Sequence, residues 1–404
     1  MNNATNSTPA GAPEVTLANC ADEPIHLPGT IQPHGVLLVF GADACLEAWS
    51  ANAADVLQVE PALASSLTSL GLPAPVAQLV EECIAEMSGG SAPPMAIETQ
   101  FGASQFDCIT HAHEGRVIVE FEKRDLPTDA VAAFALKAHG ALDRLKRQRS
   151  IESLLQMAAD QVRAITGFDR VMCYRFRQDE SGDVVAEACR DDMDPYLGRR
   201  YPASDIPAQA RRLYILNTLR LISDARYAPV PVTGRAGAAP LDMSHCVLRS
   251  VSPIHLEYLR NMGVAASMSV SIVVNGRLWG LIACHHLSPR QVPYSIRMAT
   301  DVIAQVLAST VQTLEMREHA ELLERSAEMR TRLMETLLHG DDPLRALAAH
   351  AAAICEALAA PALILVQGGR NVVHGEIDAA TVAAVIAARP ESAAALVERE
   401  SVDD

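Results

Sequence analysis

Short apolar runs alternate with longer helical patterns in the first part of the chain. Two runs of strand type, HGVLLVF at residues 34–40 and RVIVEF at residues 116–121, are separated by alanine-rich stretches and by Pro and Gly breaks. This pattern predicts a small α/β domain at roughly residues 22–124.

A second unit begins near residue 126. Its first long segment, residues 131–165, is helical in composition, and strand-type runs follow at 168–176 and 183–190. Two further apolar runs flank Asn275-Gly276. Because Asn and Gly both tolerate the positive φ angles of a type I′ turn, this dipeptide predicts a β-hairpin.

The first arm of this hairpin has one apolar face and one polar face. Alternation places Met268, Val270, Ile272 and Val274 on the first face and Ser267, Ser269 and Ser271 on the second. A solvated face is the usual meaning of such a pattern, and a hydroxyl-lined wall of a ligand pocket is the alternative. Periodicity does not distinguish the two.

The stretch from residue 294 to residue 339 contains neither Pro nor Gly. Apolar residues recur there at a spacing near 3.5, at Ile303, Leu307, Val311, Leu314, Leu322, Met329, Leu333 and Leu337. We predict one helix of about 65–70 Å, which links two domains and pairs with a copy of itself. After it, residues 341–404 predict helix, a strand at 362–367, a Gly368-Gly369 turn and further helix.

Composition narrows the possible functions. The 404 residues are 49% hydrophobic and 20% charged, which predicts two to four folded domains, and the formal charge of −16 argues against nucleic acid as a partner. Nine cysteines are spread without a C-x-x-C pair, and no apolar run reaches membrane-spanning length. We expect a disordered arm at residues 1–15, no membrane segment, and a cytoplasmic protein with reduced thiols.

No phosphate loop, nucleophile elbow, metalloprotease or kinase motif occurs, so an enzyme is not the leading hypothesis. Three polar strings stand out instead, YPASDIP at 201–207, SPIHLEY at 252–258 and CHH at 284–286. Asp205 alone could be a turn residue and His255 a core histidine. His285 and His286, adjacent in a strand, point to opposite faces and cannot chelate one metal.

Four segments, taken together, resemble a known family. They are CADEPIHLPGTIQPHG at 20–35, YPASDIPAQARRL at 201–213, RSVSPIHLEYLRNMG at 249–263 and LWGLIACHH at 278–286. In this order and spacing they resemble the photosensory part of a bacterial phytochrome over about residues 16–404. The resemblance implies an α+β fold with antiparallel sheets, flanking helices and a long connecting helix.

The same resemblance implies a domain order. After the arm come a PAS domain at 16–125 with the pigment-attachment segment, a bilin-binding GAF domain at 126–320, and a linker helix with a partial PHY domain at 321–404. Residues 31–33 match the segment that threads a GAF loop in a figure-of-eight knot. The PHY hairpin that carries a PRxSF string in this family has no counterpart between residues 340 and 404. We therefore expect an open pocket and incomplete photoconversion.

The implied cofactor is biliverdin, a linear tetrapyrrole, joined by a thioether to Cys20. A thiol is the side chain that adds readily to an activated alkene. Plant and cyanobacterial members carry a cysteine just before the histidine that His255 matches, whereas this chain has Ile254 there, which favours biliverdin. Cys246 is either a second reactive thiol or, as we prefer, a buried apolar cysteine.

The resemblance also implies a set of pigment contacts. The carbonyl of Asp205 and a water near His255 would accept pyrrole N–H groups, and Arg220 and Arg249 would bind the two propionates. His285 would donate to the D-ring carbonyl. Tyr201 stands where phenylalanine is expected. The full set is Tyr174, Tyr201, Asp205, Ile206, Pro207, Tyr214, Arg220, Arg249, Ile254, His255, Tyr258, Ser267, Ser269 and His285.

The function implied is a red/far-red photoreceptor module that signals by isomerisation of a bilin double bond. The alternative is a GAF-type regulator that binds a cyclic nucleotide or haem without photochemistry. We expect a homodimer through the long helix, a histidine kinase or other output outside this chain, and neither nucleic acid nor membrane as a partner.

Overall fold

The computed structural model describes residues 22–87, 94–124, 139–339, 341–358 and 360–387. The chain divides into two units, Met1–Gln312 and Thr313–Asp404. Both contain helices and antiparallel strands, so the predicted α+β class is confirmed.

The first unit contains a sheet of seven antiparallel strands. They are β1 (Thr30–Ile31), β2 (Gly35–Phe40), β3 (Leu46–Ser50), β4 (Met95–Phe101), β5 (Ser104–His113), β6 (Arg116–Lys123) and β11 (Val230–Gly234), with helices α1 (Ala53–Leu57) and α2 (Ala74–Met87) in the same region. Their order across the sheet is β1-β11-β3-β2-β6-β5-β4. All six residues of β2 are buried, because α2 covers one face and residues 243–248 cover the other.

A second sheet in the same unit has six antiparallel strands. They are β7 (Arg170–Phe176), β8 (Gly182–Cys189), β9 (Arg200–Tyr201), β10 (Leu219–Ile222), β12 (Ala266–Val274) and β13 (Arg277–His286), in the order β10-β12-β13-β7-β8-β9. Helix α3 (Ile151–Thr166) packs on β7 and β8, and α4 (Ala208–Leu216) contacts β12 and β13. Asn275 and Gly276 have φ angles of 52° and 74°, so the predicted hairpin turn is confirmed.

One sequence prediction needs correction. A single helical segment was expected over residues 131–165, but residues 139–146 and α3 are separate helices. The side chain of Ser150 accepts a hydrogen bond from the backbone N–H of Ser153 at 3.2 Å and caps a new helix. The beginning of the predicted segment, residues 131–138, lies outside the described residues.

The segment around Gln32 lies between two parts of one long loop. On one side β1 pairs with β11, where Thr30 faces Pro231. On the other side the backbone N–H of Gln32 donates to the carbonyl of Leu248 at 2.8 Å. The side-chain amide of Gln32 also donates to the carbonyl of Leu221 at 2.8 Å. The loop between β10 and the following helix therefore flanks the segment on both sides, as the predicted knot requires.

Helix α5 (Pro253–Asn261) follows this loop, and α6 (Tyr294–His339) is the predicted long helix, with 46 residues. The second unit also contains α7 (Pro343–Ala349), α8 (Ala351–Ala357), α9 (Ala379–Ala387) and the hairpin of β14 (Ala362–Gln367) and β15 (Arg370–Gly375). Gly368 and Gly369 form its turn with positive φ angles, as predicted. No helix in the described ranges is long and apolar enough to cross a bilayer.

A buried ion pair holds α6 to the first sheet. Glu122 on β6 is 2% exposed and Arg297 on α6 is 1% exposed, and the guanidinium of Arg297 donates to the carboxylate of Glu122. The other carboxylate oxygen lies 3.4 Å from Nε2 of His34. Burial raises the pKa of Glu122, but Arg297 and His34 outweigh that effect and hold the pKa below its ordinary value.

We expect Arg297→Met to lower the free energy of unfolding by about 3–5 kcal/mol, because it leaves the buried carboxylate of Glu122 without its cation. Both tryptophans, Trp49 and Trp279, lie in the first unit, so fluorescence during urea unfolding reports on it. Arg116→Met is the control, since it breaks a more exposed pair with Glu47 on the same sheet and should cost less than about 1 kcal/mol. Equal losses in both variants would contradict the expectation.

Candidate ligand-binding pocket

A cavity of about 510 Å³ lies between the second sheet and helices α4 and α5. This volume is typical of a small-molecule site. The structure brings together around it every described residue that the sequence assigned to the pocket: Tyr174, Tyr201, Asp205, Ile206, Pro207, Tyr214, Arg220, Arg249, Ile254, His255, Tyr258, Ser267, Ser269 and His285. Cys20 lies outside the described residues.

The serine face of β12 forms part of the cavity wall. Ser267 is paired with His285 on β13, and Ser269 is paired with Arg220 on β10, so polar groups from three strands meet on one face. The intervening Met268 is fully buried in the core. Of the two interpretations of this alternation, the structure supports the pocket wall and not the solvated face.

Ser271 continues the same alternation but has a different role. It does not line the cavity, and its hydroxyl donates to the carbonyl of Tyr214 at 2.6 Å. Its backbone N–H donates to the carbonyl of Thr218 at 2.8 Å. Ser271 therefore fastens the end of α4 against the sheet and places Tyr214 beside the cavity.

A tyrosine cluster closes one end of the cavity. The rings of Tyr174 and Tyr201 have centroids 6.3 Å apart. Gly182 makes room for them, because a Cβ at this position would lie 2.1 Å from the ring of Tyr174. Burial, and then the carboxylate of Asp205, raise the pKa of Tyr174 to about 12. Its hydroxyl is therefore a hydrogen-bond donor at neutral pH.

Asp205 lies in a short 3-10 turn, Ala203–Asp205, between two prolines. Arg211 on α4 braces this turn by donating to the carbonyl of Ile206 at 2.6 Å. The hydroxyl of Tyr258 donates to the carboxylate of Asp205 at 3.4 Å. Burial raises the pKa of Asp205, and the hydrogen bond from Tyr258 reduces this effect. Asp205 therefore lies in a turn and also lines the cavity.

Two neutral histidines line the cavity. Burial, and then Arg220, lower the pKa of His255 to about 4. Burial, followed by Arg170 and His255, lowers the pKa of His285 to about 3. Nδ1 of His285 is buried without a hydrogen-bond partner among the described residues. His286 points to the opposite face, where its Nδ1 lies 2.8 Å from Asp169, as the alternation predicts.

Two guanidinium groups supply positive charge at one side of the cavity. Arg249 is 7% exposed and donates to the carbonyl of Ile25 at 2.6 Å, while its Nε is buried without a partner among the described residues. Arg220 donates to the carbonyls of Val247 and Arg249. Burial, and then Arg220, lower the pKa of Arg249 to about 9. Within the described chain these arginines contact carbonyls rather than carboxylates. This side of the cavity therefore favours binding of an anion.

Sequence reasoning missed several lining residues. Glu23 and Ile25 line the cavity a few residues after the predicted attachment residue Cys20, and the hydroxyl of Ser252 donates to Glu23 at 2.5 Å. Tyr196 also lines it, with the guanidinium of Arg170 lying 3.8 Å from its ring centroid. The position of Glu23 within the matched string at residues 20–35 could have marked it as a candidate.

Cys246 is not part of the cavity wall. It is fully buried in the cluster that joins the first sheet to the loop before α5. Burial, followed by the carboxylate of Glu120, raises the pKa of its thiol well above the ordinary value. The structure thus supports the buried-cysteine interpretation over a second reactive thiol at the cavity.

Comparison with known proteins agrees with this architecture. The GAF domain family model matches residues 150–311, and the PAS fold model matches residues 20–124. A Bacteriophytochrome of Pseudomonas aeruginosa is 44% identical over 368 residues, which cover 90% of this chain and 50% of that protein. Cyanobacterial phytochrome B of Nostoc sp. is 38% identical over 372 residues, with coverage of 90% and 50%.

A solved structure extends the likeness to the fold. The Stigmatella aurantiaca phytochrome photosensory core module superposes with a TM-score of 0.74 at 37% identity, over 93% of this chain and 76% of that one. The chain belongs to the phytochrome family, as the four matched segments predicted. It spans about half the length of the curated relatives that it matches.

Proposed function

We propose that this chain is the light-sensing module of a red/far-red photoreceptor and that its cavity binds biliverdin. The observation that carries the proposal is the pairing of Arg220 and Arg249 beside a cavity lined by neutral histidines and tyrosines. Biliverdin carries two propionates on a long apolar body, and absorption of light isomerises the double bond between its C and D rings. Family membership favours this ligand over a cyclic nucleotide or haem.

The charged side of the cavity fits the propionates. Arg220 and Arg249 have planar guanidinium groups that can pair with carboxylates in a bidentate manner. Ser267, Ser269 and Tyr214 add hydroxyls on the same side. A carboxylate here would give the buried Nε of Arg249 an acceptor and would balance its charge.

The other polar groups fit the ring system. His255 is neutral at pH 7 and keeps a lone pair that can accept from a pyrrole N–H directly or through water. The backbone carbonyl of Asp205 is a second acceptor. His285, with an unpartnered Nδ1, can donate from one ring nitrogen to the D-ring carbonyl. Tyr174, Tyr201 and Tyr258 line the cavity and would pack around that ring.

The function is tested by absorption spectroscopy of the chain produced with biliverdin. We expect a coloured protein whose red absorption falls on red illumination. Gly182→Ala should lower pigment uptake, because the added methyl group pushes the Tyr174 ring into the cavity. Gly140→Ala is the matched control, since a Cβ there meets nothing within 4 Å. A colourless wild-type protein would refute the function, and undiminished uptake by Gly182→Ala would place the pigment elsewhere.

We propose that the pigment is attached covalently through Cys20. Glu23 and Ile25 line the cavity, and three residues of chain reach about 10 Å at most. The thiol of Cys20 would add to a vinyl group of the A ring, with its proton passing to the carbon skeleton.

We further propose the domain limits 16–125, 126–320 and 321–404 for the PAS, GAF and partial PHY parts.

Cys20→Ser should retain pigment in the folded protein but release it into acidic organic solvent, because the cavity contacts remain while the thioether is lost. Zinc-induced fluorescence on a denaturing gel measures the linkage. Cys45→Ser changes a partly exposed thiol and should keep the zinc-induced fluorescence. Pigment that stayed on denatured Cys20→Ser protein would assign the bond to another cysteine.

We propose a second copy of this chain as a partner, joined along α6, with the signalling output carried outside this chain. Along α6, Met316, Leu323, Met334 and Leu338 are more than half exposed. Burying them against an equivalent helix would remove apolar surface from water.

Leu323→Glu should shift the molar mass measured by light scattering from dimer toward monomer at tens of micromolar protein. A wild-type chain that is strictly monomeric there would contradict the proposal.

A further inference from the structure

A group of metal-binding side chains lies where the first sheet meets the loop before α5, away from the cavity. His111 comes from β5, Glu120 from β6 and Cys246 from the loop. One ring nitrogen, one carboxylate oxygen and the thiol sulfur lie within 4.8 Å of one another. The three residues are 2%, 0% and 0% exposed. We call this group the junction cluster.

The junction cluster contains a polar atom without a partner. Nε2 of His111 lies 3.9 Å from the sulfur of Cys246. Nδ1 of His111 is buried with no hydrogen-bond partner among the described residues, and it lies 3.9 Å from the carboxylate of Glu120. Leaving a buried imidazole nitrogen unsatisfied is costly, so such a nitrogen requires an explanation. Coordination of a metal ion would supply one.

The ligand types and spacing select the kind of ion. Zinc lies about 2.0–2.1 Å from an imidazole nitrogen and about 2.3 Å from a thiolate, so the ligand atoms of a tetrahedral site are about 3.4–3.6 Å apart. An imidazole binds one ion through one ring nitrogen, so only one of the two separations of 3.9 Å applies to a given site. The three ligand atoms, which lie within 4.8 Å of one another, must move closer together to reach this spacing. Thiolate and imidazole together favour zinc and similar transition metals over magnesium or calcium.

We propose that His111, Glu120 and Cys246 bind one zinc-type divalent ion. Binding would convert the thiol of Cys246 to a thiolate, with its proton released to the buffer. Glu120 is already held in place, because its two carboxylate oxygens accept the backbone N–H groups of Val247 and Leu248 at 3.0 and 2.7 Å. Such contacts orient a ligating carboxylate.

A second set of donors lies on the outer side of the junction cluster. The ring of His245 has its centroid 6.1 Å from that of His111 and 4.9 Å from that of His113. Nε2 of His113 lies 3.4 Å from the carboxylate of Asp242, and Glu114 completes this group. These residues are partly or fully exposed.

The site would join two domains. His111 and Glu120 belong to the region that matches the PAS fold, whereas Cys246 belongs to the GAF match. A bound ion would therefore cross-link them and stabilise their junction by mass action. This inference does not depend on the pigment proposal, because no lining residue of the cavity is a ligand.

Cobalt titration of the pigment-free chain tests the proposal, since a bilin would itself bind metal ions through its nitrogens. Under reducing conditions without chelator, we expect one equivalent of Co²⁺ to bind with a near-ultraviolet sulfur-to-cobalt charge-transfer band. One equivalent of Zn²⁺ should abolish that band and raise the unfolding temperature. Absence of this band in folded wild-type protein would by itself overturn the proposal.

Variants locate the ion. Cys246→Ser and His111→Gln should each lose the band, whereas Cys355→Ser and His374→Gln, which lie in the second unit, should keep it. Circular dichroism checks that each variant is folded. A band that persists unchanged in folded Cys246→Ser or His111→Gln protein would overturn the assignment, and its loss in Cys355→Ser would place the ion elsewhere.

Discussion

Two buried carboxylates on β6 hold the first unit together. Glu120 and Glu122 lie two residues apart, so they share one face of the strand, and both are at most 2% exposed. Glu120 accepts the backbone N–H groups of Val247 and Leu248, and Glu122 pairs with Arg297. Because a buried carboxylate without partners is very costly, the first sheet, the loop and α6 are stable only when assembled together.

The hydrogen bonds between Glu120 and the loop also fix the geometry of the cavity. The residue after Leu248 is Arg249, so the hydrogen bonds to Glu120 fix the backbone from which that guanidinium projects. Arg249 in turn donates to Ile25, and its own carbonyl accepts from Arg220 on β10. The positive side of the pocket thus combines three distant parts of the chain. A change at Glu120 should therefore affect the cavity even though Glu120 does not line it.

Local patterns in the sequence were sufficient for much of the fold. Asn275-Gly276 specified its turn because the required φ angles depend on those two residues alone. Nine of the fourteen predicted pocket residues lie within the matched strings, which carry the result of long-range packing, and the other five were implied by the same resemblance. In contrast, the carboxylates in RVIVEFEK resemble an ordinary solvated face, because Arg297 lies 175 residues from Glu122 in sequence. Ser271 differs from Ser267 and Ser269 for the same reason, since α4 covers only its part of the strand.

The long helix is fastened to both sheets, and this links it to the cavity. Arg297 pairs with Glu122 on the first sheet, and the carboxylate of Asp301, one turn further, accepts a hydrogen bond from the hydroxyl of Thr218 at 2.7 Å. Thr218 immediately precedes β10, which presents Arg220 to the cavity two residues later. A ligand that draws Arg220 toward its carboxylate therefore acts on a strand that directly follows Thr218, whose side chain is hydrogen-bonded to α6. The Thr218–Asp301 hydrogen bond is thus a short connection between the cavity strand and the long helix.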